Sequence, residues 1–194
     1  MQRRTGPKFR IWFRIAFILS VASLAAAALS PAAMASRPSQ TDWPMFGQNL
    51  NNTASAPYTK VNVGNVKALK VKWAFTTSGD VSARAAVVGN VAYFPDWGGH
   101  VYAVNATNGA PIWTKNILTD YLPGMLDPSG NPLTKVVSRT SPVVDASTNT
   151  LYLGTQSGAY MLAINTSDGS LKWASQLDAH PYAIDTGSPI VYDG

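Results

Sequence analysis

The chain has 194 residues, fifteen basic and ten acidic side chains, a formal net charge of +5 and no cysteine. Five of the basic residues, Arg3, Arg4, Lys8, Arg10 and Arg14, fall within residues 1–35, which hold no acidic residue, so the remainder is formally neutral. A neutral body excludes nucleic-acid binding, which needs a basic face or stripe, and the missing thiols exclude a disulfide frame, a thiolate metal site and lipid attachment through cysteine.

The basic start leads into an uncharged apolar run from Ile15 to Leu29. That run has the length of a secretory h-region and falls short of the roughly 20 residues a membrane-spanning helix needs. Pro31 and then Ala33-Met34-Ala35 put small residues where signal peptidase reads them, which predicts a signal peptide over 1–35 with cleavage after Ala35. The mature chain is then periplasmic or extracellular, with no stable membrane insertion; an uncleaved anchor helix is the alternative. Arg3-Arg4 resembles a twin-arginine signal in that pair alone. Every acidic side chain is Asp, which suits turns, and Glu, a helix former, is absent, so the body reads as strands and loops.

After an N-terminal extension at 36–65, strand-like runs recur. Two segments superpose without a gap, Ala103-Val104-Asn105-Ala106-Thr107-Asn108-Gly109-Ala110-Pro111-Ile112-Trp113 and Ala163-Ile164-Asn165-Thr166-Ser167-Asp168-Gly169-Ser170-Leu171-Lys172-Trp173. Alternation before the Asn predicts a half-buried strand, the Asn-to-Gly stretch a hairpin turn whose Gly accepts positive φ, and the rest a strand that carries Trp. The small Ala leaves room for an indole, so the Trp of one sheet can dock against a neighbouring unit. Upstream lie two more runs per unit, 85–88 and 91–94 in one, 142–145 and 151–154 in the other. A unit is therefore four short antiparallel strands, the size of a propeller blade.

Trp73, between Lys70-Val71-Lys72 and Ala74-Phe75, reads as the last strand of an earlier blade, at about 66–76. Blades follow at about 82–117 and 118–177, and a truncated blade at 178–194 opens with Ser188-Pro189-Ile190-Val191-Tyr192 and turns at Asp193-Gly194. Trp73 and Trp113 are 40 residues apart and Trp113 and Trp173 are 60 apart, so the second full blade carries about 20 extra residues near Leu118 to Ser138. Pro123, Gly124, Pro128, Gly130 and Pro132 predict a loop there, and long loops in compact domains are often functional. The fold class predicted is all-β, a β-propeller of four-stranded antiparallel blades with about two and a half present.

These residues resemble a known family, the pyrroloquinoline-quinone (PQQ) dehydrogenases. The frames at 103–113 and 163–173 are similar to its tryptophan-docking motif, with Asn105 and Asn165 where Asp is commoner. Asp42-Trp43-Pro44-Met45-Phe46-Gly47, then Asn52-Thr53 and 66–75, resemble the stretch before its first full blade. The segments 93–104, 138–144 and 177–181 resemble its polyvinyl-alcohol-dehydrogenase-like branch, and the likeness spans about 42–194. It implies a closed propeller of about eight blades, PQQ on the axis, calcium beside it, and an Asp as base on an alcohol.

By the same resemblance, Arg139 corresponds to an arginine on the quinone oxygens, where a permanent charge stabilises the negative charge that develops on reduction. A salt bridge or a solvated loop charge is its alternative role. Thr186 and Ser188 correspond to hydroxyl donors around the cofactor carboxylates, although both are also ordinary strand and turn residues. Lys135-Val136-Val137 stand where better-known members carry adjacent cysteines, and Ser82 or Arg84 stands near the place of a Glu. The calcium ligands and the catalytic Asp are expected beyond Gly194, so no catalytic or metal-binding residue is assigned. His100 and His180 lack zinc spacing and read as structural. The acceptor-like triplets at Asn51, Asn105 and Asn165 read first as turn formers.

The implied function is the N-terminal part of an exported quinoprotein alcohol dehydrogenase. It would oxidise a small or polymeric alcohol, such as polyvinyl alcohol, and pass electrons to an acceptor such as a cytochrome c. The alternative is a non-catalytic propeller that acts as an envelope scaffold or binding module. On either reading the isolated piece is inactive and prone to aggregate through unpaired strands.

Overall fold

The computed structural model describes residues 42–56 and 59–192. The leader at 1–35 and the turn at Asp193-Gly194 lie outside the described residues. Eight strands form two antiparallel sheets whose order in space follows the sequence, β1–β4 and β5–β8. The first holds β1 (Ala86–Val88), β2 (Val91–Pro95), β3 (His100–Asn105) and β4 (Pro111–Asn116). The second holds β5 (Val143–Asp145), β6 (Thr150–Gly154), β7 (Tyr160–Asn165) and β8 (Leu171–Gln176). These are two adjacent blades of a β-propeller. Among the described residues no helix is long and apolar enough to cross a membrane.

Alternation along each strand buries both faces of the first sheet. Tyr93, Val101, Ala103 and Trp113 face the second sheet, packing with Leu151, Leu153, Leu162 and Ile164. Ala92, Phe94, Tyr102 and Val104 face the other way, against Trp73 and Phe75. Ala103 pairs with Trp113, and Ala163 with Trp173, each at the rung beside a bulge.

The indoles join the units. Trp73 Nε1 donates to the Ala106 carbonyl at 2.9 Å, and Trp113 Nε1 donates to the Thr166 carbonyl at 2.9 Å. Each ring lies on the glycine of the same turn. A Cβ at Gly109 would come within 2.9 Å of the Trp73 ring, and one at Gly169 within 2.8 Å of the Trp113 ring. Both glycines also hold positive φ, +77° and +72°. Trp113 is 8% exposed, whereas Trp173, which has no following turn over it among the described residues, is 46% exposed. In these turns Asn105 Oδ1 accepts from the Thr107 amide and Asn165 Oδ1 from the Ser167 amide, so both asparagines form turns.

Three segments differ in form from the sequence expectation. Among the described residues, 69–76 around Trp73 pair with no strand, after a single 3-10 turn at Val66–Ala68, and 188–192 also lacks a partner strand. The insertion is not all loop, because it opens with a π-helical turn at Ile117–Tyr121. That turn buries Ile117, Tyr121 and Leu122, and the Tyr121 hydroxyl donates to the Gly169 carbonyl at 2.8 Å. The N-terminal segment binds both blades: Trp43 pairs with Val87 through two backbone hydrogen bonds, and the Val144 amide donates to the Pro44 carbonyl.

Gly169→Ala should destabilise the full chain by about 2–4 kcal/mol, adding a clash with Trp113 to the left-handed backbone cost. Gly130→Ala also sits at positive φ, +85°, but meets open space, so it should cost only about 1–2 kcal/mol. Urea unfolding of the two variants measures the difference.

Candidate functional site

The segments that lead into β1 and β5 and the stretch at 188–192 are tied together in series. The Arg84 amide donates to Ser141 Oγ at 2.9 Å, and the Ser141 amide donates to Ser188 Oγ at 3.0 Å. Arg84, Ser141 and Ser188 therefore occupy corresponding places in three consecutive units. Two residues before each stand Ser82, Arg139 and Thr186, which correspond in the same way. The chain of hydroxyls sets the spacing of the inner strands, and each serine that accepts through oxygen keeps its own proton for another acceptor.

Arg139 is exposed, while its neighbours Ser138, Thr140 and Ser141 are buried. Among the described residues no carboxylate lies within ion-pair distance of it. Its guanidinium rests instead on the indole of Trp97, with Cζ 4.9 Å from the ring centroid. Trp97 belongs to the β2–β3 turn of the first blade, and its Nε1 donates to Ser82 Oγ at 2.9 Å. The Trp97 amide donates to the Asp80 carbonyl at 2.9 Å, and Lys135 Nζ donates to the Trp97 carbonyl at 3.3 Å. Arg84 makes a similar contact of its own, with Cζ 4.5 Å above the Phe46 ring.

Asp96, fully buried, holds this turn in place. Its carboxylate accepts from the His100 amide (2.8 Å), the Ser78 hydroxyl (2.8 Å), the Gly79 amide (2.9 Å) and the Tyr102 hydroxyl (2.8 Å). Burial alone would raise the Asp96 carboxyl, but the His100 amide, the Ser78 and Tyr102 hydroxyls and the His100 charge together hold it below the ordinary carboxylate range. Burial, with Asp96 beside it, pushes the Tyr102 phenol up, so it remains a donor. Glycines at 79 and 98 let the two loops meet backbone to backbone, since a Cβ on Gly79 would run into Trp97 and Gly98.

Of the three residues singled out in the sequence, Ser188 and the Arg139 segment are brought together through Ser141. Thr186 is exposed, and its hydroxyl makes no hydrogen bond among the described residues. His100 supports the Asp96 network through Ser78 Oγ, 2.7 Å from its Nδ1, and His180 sits exposed in the loop after β8, its Nδ1 accepting from the Tyr182 amide. Among the described residues no group of three or more His, Cys, Asp or Glu could hold a metal ion. Sequence reasoning missed Trp97 and Asp96. Both lie in the Pro95-Asp96-Trp97 run, but Ser78, Gly79, Ser82 and Arg139, which they meet, are distant in sequence.

A family model described as "Outer membrane protein assembly factor BamB", of the PQQ repeat type, matches residues 70–193. The chain belongs to this family of PQQ-repeat propellers. It is 26% identical over 152 residues to the polyvinylalcohol dehydrogenase of a Pseudomonas species, a match that covers 78% of this chain and 22% of the relative. It is 26% identical over 180 residues to methanol dehydrogenase [cytochrome c] subunit 1 of Methylorubrum extorquens, covering 81% of this chain and 27% of the relative. The chain thus spans about a quarter of the length of the curated relatives it matches. A quinohemoprotein alcohol dehydrogenase from Pseudomonas putida shares its fold with a TM-score of 0.64 at 22% identity, over 80% of this chain and 22% of that one.

Asp96→Asn should lower stability by about 2 kcal/mol at neutral pH, because a buried acceptor of four donors is weakened. The carboxylate is held below its unfolded value of about 3.9, so its contribution is complete above about pH 4 and fades as pH falls through the lowered folded value. Thermal melts of the two proteins should therefore converge in acid; a gap that stays constant below pH 4 contradicts the assignment.

Proposed function

We propose that the chain forms the N-terminal part of an exported quinoprotein dehydrogenase that oxidises an alcohol, small or polymeric, with PQQ as cofactor. The observation that carries this reading is Arg139, an exposed guanidinium without a carboxylate partner among the described residues, on a segment that Ser141 ties to Ser188. A group of permanent charge and hydroxyl donors fits a flat, polyanionic quinone. PQQ supplies the two-electron acceptor for the alcohol's hydrogen. Arg139 would offer charge to the reducible oxygens, stabilising negative charge as it accumulates. Thr186 and Ser188 would donate to its carboxylates, and the Arg84–Ser141–Ser188 chain holds Ser188 in place.

Calcium beside the quinone, an alcohol-binding site, and electron transfer to an acceptor such as a cytochrome c belong to the same reading. So does export by the basic and apolar stretch over 1–35. The names of the relatives support oxidation of alcohols, polyvinyl alcohol among them, and the cytochrome c in one of those names supports the acceptor.

A second reading, a non-catalytic propeller that binds a protein partner in the envelope, is favoured by the assembly-factor description of the matching family. Binding of PQQ separates the two. The full-length protein with calcium should quench its tryptophan emission on addition of PQQ and reduce a dye when alcohol is supplied. No binding and no dye reduction with several alcohols would leave the scaffold. Arg139→Ala should weaken PQQ binding by about 10- to 100-fold, the range for a charged hydrogen-bond donor, with Arg139→Lys in between because its donors are not forked.

A further inference from the structure

We propose that Trp97 is a positioning residue for Arg139. Its indole fixes the direction in which the guanidinium presents its charge at the N-terminal ends of the inner strands. The inference rests on the reading of Arg139 as a cofactor contact and deepens it.

An exposed arginine with no ion pair samples many rotamers, and engaging a ligand costs that freedom. Among the described residues the partner that limits Arg139 is the Trp97 ring, at 4.9 Å. Face-on contact with an indole suits the planar guanidinium and leaves its edge, which carries the N–H donors, free for an anion. An ion pair would occupy those donors and neutralise the charge.

The indole is itself held at each end. Its Nε1 is tied to Ser82 and its amide to the Asp80 carbonyl, while Asp96 pins the turn from beneath through four donors. Ser82 occupies, in the first blade, the place that Arg139 occupies in the second. A side chain that could have faced the ligand instead braces the ring under the neighbouring unit's arginine. The β2–β3 turn of one blade thereby orients a residue of the next, and the spacing between blades enters the geometry of the site.

The test is a double-mutant cycle on the full-length protein, with PQQ as the titrated probe. Trp97→Leu should weaken PQQ binding about three- to fivefold, the worth of one exposed cation–π contact. Trp97→Phe should cost less, and Ser82→Ala, which removes only the brace on the ring, should act in the same direction. In an Arg139→Ala background all three effects should vanish. Losses of equal size with and without Arg139 would assign Trp97 to packing and overturn the proposal.

A cofactor-free readout separates this proposal from the functional reading. In protein labelled at arginine, the Arg139 Nε–H resonance should be sharp and shifted upfield by the indole, and Trp97→Leu should abolish the shift. If Arg139→Ala leaves PQQ binding intact while the shift is present, the cofactor role fails and the positioning stands. If the shift is absent, the positioning fails regardless of what binds.

Discussion

The structure depends on a tryptophan of one blade docking into the hairpin turn of the next. An indole N–H buried without an acceptor would be costly, and here each finds a carbonyl at the same place, Ala106 for Trp73 and Thr166 for Trp113. The glycine beneath each ring has two reasons to lack a side chain, its positive φ and the indole against it. The contact is polar, dispersive and steric at once, so it fixes distance and direction between sheets that share no strand. Side-chain alternation then fills the gap, with Val101 and Ala103 facing Leu162 and Ile164 across it.

Much of this was written in the sequence because it repeats. The Ala–Asn–Gly–Trp frame recurs without a gap, and each of its positions has a separate physical duty in the sheet, so the hairpins, the docking and the four-strand unit could be read together. What a repeat does not reveal is pairing. Residues 70–75 and 188–192 have strand composition, yet a strand exists only beside a partner, and none lies next to them among the described residues. The π-helical turn at Ile117–Tyr121 was hidden for a related reason. Pro and Gly downstream announce a loop, whereas Ile117 and Tyr121 are ordered by the crevice between two sheets.

The site was legible in part. Arg139, Thr186 and Ser188 were marked by resemblance, and the ladder from Arg84 through Ser141 to Ser188 holds one of them, Ser188, beside the segment that carries Arg139. Trp97 was not legible, since the residues that give it meaning, Ser82 and Arg139, come from the segments that lead into β1 and β5. No local periodicity relates them. Asp96 was missed because an Asp in a turn ordinarily caps its own backbone, as Asp127 and Asp145 do here, and only the fold brings Tyr102 and Ser78 to it.

That habit of the acidic residues bears on the electrostatics of the whole chain. Beyond residue 35 the formal charges cancel, and a neutral stretch would seem to offer little field. The cancellation is not local. Asp120, Asp127, Asp145, Asp168, Asp178 and Asp185 each accept a backbone amide within their own loop, and Asp96 is buried under four donors. Carboxylates committed to turns direct much of their charge at amide dipoles, and among the described residues Arg139 and Arg84 rest on aromatic rings rather than on acids. A ring supports a guanidinium without discharging it. An all-Asp acidic complement, first legible as a preference for turns over helices, thus also leaves Arg139 and Arg84 without acid partners among the described residues.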